Sequence, residues 1–155
     1  MNLPLKFTAK LVSLEDPDDY CWMVAFVDDP DSVNQYLMLQ RGYEDDEQDI
    51  QLGMNTYYIE RDDQGWSCYG GIDHFELFRD FVRIYLNDVE FSALGEIREI
   101  TIDFKINGYT YRKLKNRLRK IFFGTDCLIQ KYQPEKNSHN NKKFKKGTIG
   151  SCNGK

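Results

Sequence analysis

EITIDFKINGYTYRKLKNRLRKIFFG, residues 99–124, changes its hydrophobic period at Asn107-Gly108. Before that point the period is two: Ile100, Ile102, Phe104 and Ile106 alternate with Glu99, Thr101, Asp103 and Lys105, which predicts a strand with one face buried and one wet. After it, Tyr111, Leu114, Leu118, Ile121 and Phe122 form one apolar stripe of a helix, and Arg112, Lys113, Lys115, Arg117, Arg119 and Lys120 fill its remaining circumference, with Gly124 as the stop. Burying a large apolar side chain is worth about 1.5–3 kcal/mol, so a stripe of this length is expected to dock on a sheet. The fold class read from this segment is α+β: a mainly antiparallel β-sheet with one amphipathic C-terminal helix packed on it.

Working upstream, the period of two recurs. Phe7, Ala9 and Leu11 alternate with Lys6, Thr8 and Lys10, and Cys21 to Val27 is an apolar run of strand length between Asp18-Asp19 and Asp28-Asp29-Pro30-Asp31, as expected of a central strand. Tyr36 to Gln40 reads as a third strand. Asn55 to Arg61 and Trp66 to Gly70 flank Asp62-Asp63-Gln64-Gly65, a hairpin signal in which Gly65 is expected to supply the positive φ. Phe75 to Phe78 and Phe81 to Leu86 meet at Arg79-Asp80 as a second hairpin. Asp88 to Leu94 reads as a short helix with Asp88 as N-cap and Gly95 at its exit. Downstream of about Gln130 the chain is polar, basic and poor in aliphatics, and disorder is expected there. The expected organisation is a single domain over residues 1–124 and a basic tail over 125–155.

Composition agrees with a packed domain. The 155 residues include ten Phe, ten Tyr and two Trp, and 41% are hydrophobic, enough to bury an aromatic core. No run approaches the roughly 18 apolar residues that cross a bilayer, and MNLPLKFTAK lacks the apolar stretch of a secretory signal, so a cytoplasmic location is expected. Cys21, Cys68, Cys127 and Cys152 show no CxxC spacing and read as reduced thiols. The net charge of −4 conceals segregation: residues 1–105 carry 8 Lys and Arg against 23 Asp and Glu, whereas residues 106–155 carry 13 against 2.

Catalytic kits are missing. Gly70-Gly71 is not followed by the Lys-Ser/Thr of a phosphate loop. Cys68 and His74 would make a thiol–imidazole pair only if the hairpin brought them together, and Cys68 alternates with Trp66 and Gly70 as an ordinary sheet position does. The acidic clusters at 15–19, 28–31 and 44–49 lack the spaced pattern of a calcium loop. No catalytic residue, metal or cofactor is therefore expected. The clusters suit a basic partner, with neighbouring aromatics as anchors. The candidate partner-binding residues are Tyr43, Glu44, Asp45, Asp46, Glu47, Asp49, Asp62, Asp63 and Trp66; Tyr57, Tyr58 and Tyr69 are expected to lie mostly in the core. A nucleic-acid-binding module using the basic helix and tail is the alternative, opposed by an acidic body that would repel phosphate.

YLMLQRGYEDDEQDIQLGMNTYYIERDDQGWSCYGGIDHFEL, residues 36–77, followed by ITIDFKI and YRKLKNRLRKIF, resembles the immunity protein 10 family of bacterial polymorphic-toxin systems. The resemblance spans roughly residues 5–123, and its specific parts are EQDIQLGMNTYYIE and GWSCYGGI, with Gly53, Tyr57, Glu60, Trp66, Tyr69, Gly70 and Gly71 as motif positions. It implies a mainly β, catalytically inert, cytoplasmic antitoxin to a cognate toxin, which it does not name; the acidic loops and neighbouring aromatics are expected to neutralise that toxin by blocking its active site or substrate groove, and a nuclease, whose groove must be basic, would suit their charge.

Overall fold

In a computed structural model, which describes residues 4–15, 20–87 and 91–131, the α+β class is seen, with the strands divided between two five-stranded sheets. The first sheet has the order β1-β9-β8-β7-β10, from Leu5–Ala9, Glu99–Phe104, Phe81–Leu86, Ile72–Leu77 and Leu128–Gln130. The second has the order β2-β3-β4-β5-β6, from Leu11–Ser13, Cys21–Val27, Tyr36–Gly42, Tyr58–Arg61 and Asp63–Tyr69, and is antiparallel throughout. Cys21–Val27 pairs on both sides, as its apolar run predicts.

The alternation of β8 and β9 sends Val82, Ile84, Leu86, Ile100, Ile102 and Phe104 inward, and all are buried. From the second sheet Val24, Phe26, Leu37, Leu39 and Ile59 meet them; the rings of Phe26 and Phe104 stack 5.8 Å apart. The long helix α2, Gly108–Ile121, begins where Asn107 accepts from the Thr110 amide at 2.8 Å. It connects β9 to β10, which run in the same direction on opposite sides of β8 and β7, so it crosses the inner side of the first sheet and packs on β3 and β4 of the second. Leu114, Leu118 and Ile121 are fully buried, and Phe122 meets Tyr57 at 4.9 Å and Phe75 at 5.1 Å.

Four local expectations change. The first alternating run is not one strand: at Lys10, whose amide donates to Val27 O and Asp28 O, the chain leaves one sheet for the other, and Leu11 ends exposed. In the β5–β6 hairpin the positive φ belongs to Asp62 (60°) rather than Gly65, because the Asp62 carboxylate accepts from the Tyr36 amide at 2.9 Å and holds the turn. Phe91–Leu94 is a 3₁₀ turn leaving through Gly95 at φ 83°, and the proposed cap Asp88 lies outside the described residues. The chain past Gly124 adds a strand: Cys127 is buried and β10 pairs parallel with β7, a segment too short to show a period. The tail expected to be disordered lies, from residue 132 onward, outside the described residues.

Candidate functional site

The largest acidic segment follows β4 and is folded by its own carboxylates. Asp46 caps the short helix α1, Glu47–Gln51, by accepting from the Asp49 amide at 2.8 Å, and Asp49 reciprocates toward the Asp46 amide at 3.4 Å, a capping box. Asp45 lies 3.9 Å from Arg41, which also donates to the carbonyls of Ile121 and Phe123 at the negative end of α2. Tyr43 sets its ring edge-on to Trp22 at 4.8 Å. Glu44 and Glu47 are exposed. Behind this segment opens a cleft of about 510 Å³ in which Tyr43, Glu44, Asp45 and Asp49 face Tyr20, Tyr58 and Tyr69.

The nine sequence-derived candidates do not form one group. Gln40 pairs with Tyr58 and Tyr58 with Tyr69, so the 43–49 segment sits at one end of β4, β5 and β6, whereas the turn carrying Asp62, Asp63 and Trp66 sits at the other. There the Asp62 carboxylate also takes Arg61 at 2.6 Å, and Asp63 accepts from the Gly65 amide at 2.7 Å. Trp66, 41% exposed, carries the Arg61 guanidinium 4.1 Å from its ring centroid, and Arg61 donates to Leu94 O at 2.6 Å. Burial lowers the pKa of Arg61, opposed by Asp62. Arg61, held by Asp62 and Trp66, ties the hairpin to the 3₁₀ turn.

Between the two ends lies a face of which the sequence singles out only Tyr58 and Tyr69, as core residues, and Glu60, as a motif position. Register places Tyr36, Met38 and Gln40 of β4, Tyr58 and Glu60 of β5, and Ser67 and Tyr69 of β6 on the outer side of the second sheet. Glu60 is only 9% exposed and accepts from the hydroxyls of Tyr36 at 2.5 Å and Tyr58 at 2.6 Å. Burial, then the hydrogen bond to Glu60, raises the pKa of both phenols, so they stay protonated and donate. The Tyr58 and Tyr69 rings lie 5.3 Å apart. The signal was available in the alternation of Tyr36-Met38-Gln40 and Tyr58-Glu60: large amphipathic side chains where a solvated face would carry Lys or Thr.

Nucleophilic chemistry is not assembled around Cys68 and His74, which sit on different sheets; the Cys68 thiol donates to Gly70 O at 3.5 Å and the His74 ring meets Tyr85 at 6.2 Å. Among the described residues no three His, Cys, Asp or Glu side chains converge as a metal would require. In the 28–31 cluster the Asp28 carboxylate accepts from the Asp29 and Asn34 amides, as a turn-former does. On α2, Arg117 donates to Met23 O, Arg119 to Gln130, and the Lys120 ammonium sits over the Trp22 ring. The described helices include none long and apolar enough to cross a membrane.

The sequence matches the family model described as Immunity protein 10 over residues 8–112, from β1 into α2. The chain belongs to this family. No curated protein and no solved structure matches it. Within this immunity protein the matched segment holds all of the second sheet, hence both the 43–49 cleft and the tyrosine–glutamate face.

Proposed function

We propose that this immunity protein is a cytoplasmic, non-enzymatic antitoxin that binds a cognate toxin domain and covers its active site or substrate groove with the acidic, aromatic-flanked end of the second sheet. The observation that carries the reading is the cleft in which Glu44, Asp45 and Asp49 stand among Tyr20, Tyr43, Tyr58 and Tyr69. Tyrosines supply large contact area at low entropic cost, and fixed carboxylates steer a basic partner into register. The capping box and the Arg41–Asp45 pair fix this surface before binding, which lowers the ordering cost of association. A nuclease toxin, whose groove must be basic to hold phosphates, fits such a face.

The test begins with the toxin gene adjacent to this one: cells expressing the toxin domain should survive only when the antitoxin is co-expressed. Glu44→Lys with Glu47→Lys leaves the capping residues intact. This variant should associate about tenfold more slowly at low salt, with a flatter salt dependence. Wild-type association kinetics in that variant would exclude this end of the sheet as the toxin-facing surface.

A further inference from the structure

The two outer sheet faces each carry a largely enclosed glutamate, and only one of the two has a counter-charge. On the first sheet Glu76 lies 3.7 Å from Arg83 and 3.6 Å from Lys131. The Arg83 guanidinium also lies over the Phe78 and Phe81 rings, 5.6 Å from each centroid. On the second sheet Glu60 is as enclosed, yet among the described residues no Lys or Arg comes within ion-pair distance of it. Two tyrosine hydroxyls occupy part of its acceptor capacity, and a carboxylate has about four lone-pair sites. Beside it opens a pocket of about 380 Å³, lined by Met38, Gln40, Tyr58, Glu60, Gln64 and Tyr69. Enclosing a carboxylate with no cation beside it is costly, and a cationic group brought by a partner would offset that cost.

We infer that this pocket is a socket for an arginine side chain of the toxin, an inference that rests on the antitoxin reading above. A guanidinium fits better than an ammonium, since its planar fork pairs with a carboxylate while its faces stack on rings such as Tyr58 and Tyr69. Within this molecule Arg83 already combines the two attractions loosely, at ion-pair distance from Glu76 and over the two phenylalanine rings. The hydroxyls of Tyr36 and Tyr58 orient the Glu60 carboxylate in advance, as an interface anchor site requires.

The probe is N-acetyl-arginine amide titrated into the full chain at low salt, followed by backbone NMR, with the citrulline and lysine analogues in parallel. Arginine should give saturable shifts confined to residues around Glu60, Gln64 and Tyr69. Citrulline should give none, and lysine weaker ones. Glu60→Gln, which keeps the shape and removes the charge, should abolish the arginine response and weaken toxin binding by about 30-fold or more, as an interface hot spot does. Gln64→Arg, at an exposed rim position, should block the socket in cis with the same two consequences and without touching Glu60. A citrulline response equal to that of arginine, arginine shifts spread over the acidic loops, or full toxin affinity in both variants would overturn the socket. The last result, with protection intact, would leave the antitoxin reading standing; failure of the wild-type chain to protect, with the arginine response intact, would sink that reading and overturn the toxin as the socket's partner, leaving only an arginine-binding pocket.

Discussion

Single residues in this chain hold turns as much as they hold the core. Tyr57, 3% exposed, accepts the Ile72 amide on its hydroxyl at 2.8 Å while its ring packs on Phe122. Tyr57→Phe keeps the ring and leaves that buried amide without an acceptor, so it should cost about 1–3 kcal/mol in denaturant unfolding. Gly95 is fixed differently: at φ 83° a side chain is strained, and a Cβ there would press on the Arg61 guanidinium and come within 3.5 Å of the Trp66 ring. Gly95→Ala should therefore destabilise by about 1–3 kcal/mol and unstack Trp66, seen as a shift in its fluorescence. The sequence announced a glycine exit here but not Arg61, a cation filed under an ordinary strand whose partners lie 33 residues away at Leu94 and next door at Asp62. For the candidate site the same limit applied. Clustering along the chain picked out 43–49, whereas Glu60 and its tyrosines converge only once the pairing of β4, β5 and β6 is known.

Elements differ in how plainly they were written. β8, β9 and α2 were legible because each has a long run of one period, and α2 also has a cap in Asn107. The division into two sheets was not, since Phe7, Ala9 and Leu11 keep the period of a single strand across the bend at Lys10; what breaks the strand is pairing, with Ile102 and Phe104 on one side and Val27 on the other. A crossover helix that buries one apolar stripe while its basic face stays in water is held chiefly by that stripe. Leu118→Ala should cost about 2–5 kcal/mol, as buried Leu-to-Ala changes do. Leu118→Asp places a charge among Leu114, Ile121 and the second sheet and should abolish the cooperative melting transition measured by circular dichroism. An unchanged melt would mean that α2 is not seated between the sheets.

At the scale of the whole molecule, protons bound by tyrosines couple the outer face and the core to global stability. Burial raises the pKa of Tyr57, with the Ile72 amide pulling the other way, and burial with the Glu60 carboxylate raises those of Tyr36 and Tyr58 above the ordinary 10.0. A phenol that keeps its proton longer when folded favours the folded state fully below the unfolded pKa. That contribution is lost as pH rises above it, because only the unfolded chain then releases the proton. For Tyr57, the most enclosed of the three, the slope approaches about 1.4 kcal/mol per pH unit; the half-exposed pair contributes less, since water screens it. The melting temperature should thus stay level up to about pH 9 and fall steeply between about pH 10 and 11. Tyr36→Phe with Tyr58→Phe should make that fall shallower while leaving the Tyr57 portion, and Tyr57→Phe should start lower and then lose less with pH than the wild type. A melting temperature that stays flat to about pH 11 would mean that the three hydroxyls are not held protonated by the fold, and with them would go the case for phenols donating into the Glu60 carboxylate.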